Sequence, residues 1–211
     1  QVPRHLYLGH LKPTNYARNI FHICNGVIGV TLYELLNNRF TVSLIALVML
    51  LIFTFMDILR RYRPAFNEWF VHRLFGSISR PVDVHRTPAA NWYTAGLLFG
   101  VVFLPKTAIE LGVLALAFGD PIASIVGKRF RGKKLYREKT WAGVLGFIGA
   151  SSLTTMAFLL WRRADMLAPQ VVLLGCAVAV SGAIAELFDG GTLDDNFTIP
   201  LLAGSVAALF L

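Results

Sequence analysis

Four carboxylates and seven cations hold most of the chemistry that this sequence could perform. Asp120 and Glu186 fall inside long apolar runs, and Asp194 and Asp195 follow in the acidic stretch DGGTLDDN. An ionisable side chain inside a membrane span is costly and by default marks a functional site. From Lys128 to Lys139, the stretch KRFRGKKLYREK holds seven Lys and Arg, with Gly127 and Gly132 beside or among them. Topology alone would place several cations there, and a loop that only holds anionic headgroups is the plainer reading. This density also suits a polyanion such as a nucleoside triphosphate or a lipid phosphate. Carboxylates brought beside such a loop are what Mg²⁺ and a triphosphate require. The metal takes oxygen from one or two carboxylates and from the phosphates, while Lys and Arg neutralise the remaining charge.

The elements that must position these groups are membrane helices. The chain is 55% hydrophobic and only 15% charged, with a net charge of +8, which lies outside the range of an ordinary soluble domain. Apolar runs near 19–36, 40–59, 91–105, 107–126, 141–161, 170–188 and 197–211 predict about seven transmembrane helices in an all-α polytopic protein. Residues 1–211 read as a single membrane-embedded domain, without internal repeat or low-complexity linker. One face collects Arg4, Lys12 and Arg18, the six arginines from Arg60 to Arg86, and the seven cations of the basic loop. The other keeps Arg39, Lys106, Arg162 and Arg163, so the positive-inside rule places the N-terminus and the basic loop in the cytoplasm. Asp57, Asp120, Glu186, Asp189, Asp194 and Asp195 gather toward that same face, whereas Glu34, Glu110 and Asp165 lie toward the other. In RRYRPAFNEWFVHRLFGSISR, Phe66, Trp69, Phe70, Leu74, Phe75 and Ile78 recur at helical spacing, which predicts an amphipathic helix lying in the interface. Its first role is a membrane anchor. The basic charge is assigned to headgroups and nucleotide phosphates, not to nucleic acid, and nothing in the sequence bears on oligomeric state.

Local signals refine the candidates. Pro121 is expected to interrupt its helix or to start a new segment with Asp120 as N-cap, which would give that carboxylate a purely structural role. Such a cap explains neither Glu186 nor the acidic run. Thr140 is a candidate N-cap for the fifth span, and Asn196 either caps the last span or hydrogen-bonds a ligand. Gly127 and Gly143 allow close backbone approach, with helix packing the plainer reading for Gly143. GKRFRGKK nearly fits the P-loop pattern, but Lys134 stands where Ser or Thr should hold magnesium, and an apolar span precedes it instead of a buried strand. The histidines are scattered, Cys24 and Cys176 both fall inside spans, and no nucleophilic triad is apparent. The residues up to Arg18 lack the pattern of a cleavable signal.

Taken together, FGDPIASIVGKRF, KTWAGVLGF, a late-span acid and DDNFTIPL resemble the CTP-dependent membrane lipid kinases, the family of yeast-type diacylglycerol kinase, dolichol kinase and phytol kinase. ARNIFHICNGVIG is similar to that family's opening Arg-Lys-x-x-His segment, although Asn19 stands where lysine is usual. The resemblance covers nearly the whole chain and is closest to the diacylglycerol kinase branch. It points to Arg18, His22, Asp120, Gly127, Lys139, Gly143, Glu186, Asp194, Asp195 and Asn196. Phosphatidate cytidylyltransferases share part of the pattern, but Asp189 and Asp195 here replace the histidine and arginine of their closing signature.

The resemblance implies a kinase that uses CTP and Mg²⁺ to phosphorylate diacylglycerol, or a polyprenol-type alcohol, at the cytoplasmic face of the bilayer. Asp120, Asp194 and Asp195 are expected to hold the metal. Arg18, Gly127, Lys128, Arg131, Lys133, Lys139, Thr140 and Asn196 are expected to bind the nucleotide. Asp120 or Glu186 would orient the lipid hydroxyl and accept its proton. Cytidylyl transfer is the alternative within the same chemistry. A transporter or flippase of an anionic solute is the alternative of another kind, against which stand the missing repeat and the charges at one face.

Overall fold

The computed structural model describes residues 16–63, 66–67, 87–130, 133–137, 139–188 and 193–211. Seven helices run through them: α1 Tyr16–Leu36, α2 Arg39–Tyr62, α3 Ala89–Phe103, α4 Lys106–Phe130, α5 Trp141–Arg162, α6 Ala168–Leu187 and α7 Asp195–Ala208. Their ends follow local chemistry. Asn37 takes a left-handed φ of 43°, which asparagine tolerates, and Asn38 then caps α2 by accepting the Thr41 N–H at 3.1 Å. The Gln170 side chain accepts the Leu167 N–H at 2.9 Å where α6 begins, with Pro169 in its first turn.

α4 is the centre of the bundle. Thirteen of its residues are buried, from Ala108 to Ala123, and it packs against α1, α5 and α7. α7 approaches α4 so closely that a Cβ on Gly112 would collide with the Pro200 carbonyl oxygen. In a bilayer this small-residue contact matters because lipid offers no hydrophobic penalty to drive helices together. α5 packs on α6 and α6 on α7, which closes one half of the bundle, while α2 packs mainly on α3. At the end opposite the basic loop, Glu34 of α1 accepts from Lys106 of α4 at 3.1 Å and Arg162 of α5 at 3.0 Å.

The all-α membrane architecture is as expected, with three differences in detail. Five helices, α1, α2, α4, α5 and α6, have the length and apolarity to cross a bilayer. α3 and α7 have 15 and 14 residues, so at 1.5 Å per residue they reach about 22 Å, short of the roughly 30 Å hydrocarbon core. The chain between α4 and α5 forms a two-stranded antiparallel hairpin, β1 Lys134–Tyr136 and β2 Lys139–Thr140, the one sheet among the described residues. The expected break at Pro121 does not occur. α4 runs straight through it, because packing on both sides of the buried proline offsets the one N–H that it cannot donate. The proposed interfacial helix lies outside the described residues apart from Phe66 and Asn67.

Candidate active site

The unbroken α4 gives Asp120 its meaning. It is not an N-cap: Ser124 follows Asp120 by four residues, and Gly127 and Lys128 follow Ser124 by three and four, so all lie along one helix face. That face forms one wall of a cavity of about 290 Å³. The hairpin supplies the second wall. Thr140 pairs with Lys134 and Tyr136 with Lys139, and Arg137 turns the chain with a left-handed φ of 48°. The Trp141 N–H donates to the Lys133 carbonyl at 3.2 Å, which ties the hairpin to the start of α5.

Thr140 then caps α5, its Oγ1 accepting the Gly143 N–H at 3.2 Å. The structure confirms the cap and the close packing. A Cβ on Gly127 would stand 3.0 Å from Thr140 Oγ1 and 3.4 Å from the Gly143 Cα, so α4 and α5 meet nearly backbone to backbone. Lys139, Thr140 and Gly143 therefore line the cavity at a helix N-terminus, whose N–H groups favour an anion.

Glu186 from α6 and Asp195 from the first turn of α7 complete the lining. Glu186 is buried, and its Oε1 accepts from Lys139 Nζ at 2.9 Å. Burial alone would lower the Lys139 pKa, but Glu186, with Asp195 and Asp120 behind it, more than reverses this and holds it above the usual lysine range. Lys139 is thus a fixed positive charge among three carboxylates.

Asp120, Gly127, Lys128, Lys139, Thr140, Glu186 and Asp195 all come together here, and Ser124 joins them unannounced. Its signal was present in the sequence, as a hydroxyl four residues after Asp120. Lys133 is exposed just before β1, and Arg18 sits half-buried in the first turn of α1. Arg131 and Asp189 lie outside the described residues.

At α7 the structure adds local roles. Asp194, expected on the metal, is the N-cap of α7 and accepts from the Asn196 N–H at 3.0 Å. Asn196 is therefore not the cap. Its side-chain Nδ2 donates to Asp194 Oδ1 and, at 3.0 Å, to Asp195 Oδ1. It lines a second cavity of about 180 Å³, together with His22 of α1.

No three His, Cys, Asp or Glu side chains among the described residues form a ready-made metal group. The donors fit Mg²⁺ in its substrate-dependent mode, in which one or two carboxylates and the phosphates share the ion. Asp195 and Asp120 offer hard oxygens in a cavity whose cations can balance a triphosphate.

No family model matches the chain, and no solved structure does. Among curated proteins, it is 26% identical to CTP-dependent diacylglycerol kinase 1 of Saccharomyces cerevisiae, over 88% of this chain and 70% of that one. It is 27% identical to the protein of the same name from Eremothecium gossypii, again over 88% of this chain but 64% of the relative's length. Phytol kinase of Synechocystis is 34% identical over 53% of this chain and 49% of its own. Over most of its length the chain is thus similar to curated CTP-dependent membrane lipid kinases.

Proposed function

We propose that the protein transfers the γ-phosphoryl group of CTP to the hydroxyl of a membrane lipid alcohol, diacylglycerol first, giving phosphatidate and CDP. The observation that carries this reading is the meeting of Asp120, Glu186, Asp195, Lys128 and Lys139 in one cavity beside the N-terminus of α5. Phosphoryl transfer asks a protein for positioning and charge neutralisation more than for covalent chemistry. The names of the relatives supply the nucleotide and the acceptor.

In this reading Lys139 and Lys128 neutralise the phosphates, and the positive end of the α5 helix dipole favours an oxygen between them. Glu186 holds Lys139 in place. Asp195 is the principal carboxylate for Mg²⁺, which, when bound, neutralises charge building on the phosphate oxygens. Asp120 takes the proton of the acceptor hydroxyl. The lipid oxygen bonds to the γ-phosphorus as the bond from that phosphorus to the β-γ bridging oxygen breaks, and CDP leaves with the electron pair. The cavity lies at the end of the bundle that carries Arg60, Arg61, Lys128, Arg129 and the hairpin cations, so it faces the cytoplasm.

The test uses CTP labelled at the γ- or at the α-phosphate, with purified protein, Mg²⁺ and vesicles containing diacylglycerol, a polyprenol and phosphatidate. γ-Label in phosphatidate supports the proposal, and γ-label in polyprenyl phosphate would change the acceptor. α-Label in lipid would make the protein a cytidylyltransferase. No label in lipid, from a folded preparation that binds CTP, would overturn the enzymatic reading.

A further inference from the structure

The second cavity has no part in the chemistry so far. Its wall is mostly apolar, built from Phe21 of α1, Met49 and Phe53 of α2, Ala90 of α3 and Leu116 of α4, with Asn196 of α7 at one side. Two features say what it would take. The first is its way in. α1 packs mainly on α4 and α2 mainly on α3, and the two touch each other sparingly. The seam between them is bordered by Phe21 and Met49, which line the cavity and are exposed although apolar, as residues facing lipid are. A molecule in the bilayer can reach the cavity sideways through this seam.

The second feature is Asn196. It is 2% exposed, and its Oδ1 has no hydrogen-bond partner among the described residues. The amide orientation follows from chemistry, since carboxylates accept and only the NH₂ side can satisfy both Asp194 and Asp195. What is left over is a buried acceptor waiting for a donor, an arrangement that needs an explanation. A neutral alcohol provides the missing O–H. A phosphate monoester would bring oxygen lone pairs and negative charge against that oxygen and the carboxylates beside it.

We infer that this cavity is the acceptor pocket, entered between α1 and α2 by an acylglycerol whose free hydroxyl donates to Asn196 Oδ1. The inference rests on the kinase reading and names its lipid subsite. The two cavities adjoin through the same two helices. Leu116 and Ala117 lie one turn before Asp120 on α4, and Asn196 follows Asp195 on α7. A hydroxyl at Asn196 therefore stands on the nucleotide cavity's border. In a loose transition state the attacking oxygen keeps its proton until late. The bond to Asn196 holds the hydroxyl on entry; the O–H then turns from Asn196 to Asp120, which takes the proton as the new O–P bond completes. The phosphorylated product has lost its donor and gained charge, so the same oxygen that holds the substrate repels the product.

The experiment uses the full chain in nanodiscs. Diacylglycerol carrying a photoreactive diazirine near the ester end of one acyl chain is crosslinked, and the labelled peptides are mapped. Label is expected on the α1 and α2 segments around Phe21 and Phe53, with displacement by unlabelled diacylglycerol. The diester of propanediol, which has CH₃ in place of CH₂OH, should displace it at least tenfold more weakly. Ala90→Leu, which fills the cavity, should raise the KM for diacylglycerol at least tenfold and leave the KM for CTP within twofold. Label that maps elsewhere or is not displaced, equal competition by the propanediol diester, or an unchanged diacylglycerol KM in a folded Ala90→Leu protein would overturn the pocket. Mapping needs no turnover. Label in the cavity of a protein that phosphorylates no lipid would support the pocket while refuting the kinase reading.

Discussion

The Lys139–Glu186 pair gives the sharpest quantitative test, because it is asked to do two separable things. Removing Lys139 should destabilise the protein and weaken CTP binding, whereas replacing both partners with apolar residues should restore stability alone. At 2.9 Å, with the side chains 28% and 6% exposed, the gross attraction is about 6 kcal/mol at an effective dielectric of about 20. Most of this is spent on desolvation. Breaking such a pair from one side costs about 3–5 kcal/mol, because the remaining charge stays buried. Glu186→Gln should fall at the low end of that range, since Asp195 and Asp120 still attract Lys139. Lys139→Met should fall at the high end, since it leaves Glu186 among other acids. The double variant Lys139→Met with Glu186→Leu should regain about 2 kcal/mol or more over the sum of the singles. Denaturant-dependent unfolding in mild detergent reads stability, and γ-label transfer at varied CTP reads function. Additive singles would show that the pair is not coupled. A double variant with normal CTP affinity would refute the phosphate role of Lys139.

Three further outcomes are expected. Asp120→Asn should lower turnover about 10²- to 10⁴-fold, the usual worth of a general base, with CTP binding within threefold; full activity would remove Asp120 from the mechanism. Gly127→Ala should weaken CTP binding and stability, because its Cβ would press on Thr140 Oγ1 and the Gly143 backbone. Gly149→Ala, which meets nothing within 4 Å, is the control and should be neutral or slightly stabilising, and equal behaviour of the two would disprove the tight α4–α5 contact. Chelation should abolish transfer and Mg²⁺ restore it, with Asp195→Asn needing at least tenfold more Mg²⁺ for half-maximal rate; an unchanged requirement would move the metal off Asp195.

Much of the fold was legible because membrane helices announce themselves by unbroken apolarity, and all seven runs became helices. Apolarity does not say whether a run faces lipid or protein. Hence the 197–211 run read as a span, whereas α7 is a short helix beginning at Asp195 and held against α4. The hairpin was unreadable, since strands of three and two residues show no period. Pro121 misled because its cost is local and visible, while the packing that offsets it is long-range. At the cavity, Asp120, Lys139, Glu186 and Asp195 were legible as charges in apolar surroundings. That Asp194 and not Asn196 caps α7 was not, since the two compete for one helix N-terminus and only backbone geometry decides which side chain reaches it.

A charge within a span does not by itself define a site, and the two ends of this bundle show the difference. At the end away from the hairpin, Glu34, Lys106 and Arg162 close on one another across α1, α4 and α5, and Arg39 reaches the Leu104 carbonyl at 2.8 Å. These contacts join helices that lipid would not drive together. At the hairpin end Lys139 also closes on Glu186, and Arg60 and Arg61 on Asp57, but the acids and cations there border a cavity. Thr140 caps α5, Asp194 caps α7 and Asn196 bridges two acids, so local polar groups are consumed in fixing the backbone. Asp120, Asp195 and Lys139 stay around an open volume of about 290 Å³. Keeping like charges together without a ligand costs stability, and a ligand carrying both a cation and phosphates relieves that cost. Binding of Mg²⁺ with CTP should therefore stabilise the hairpin end selectively. Amide exchange should slow in β2 and the first turns of α5 and α7 while the turn at Asn37 is unchanged, and uniform slowing at both ends would contradict this division.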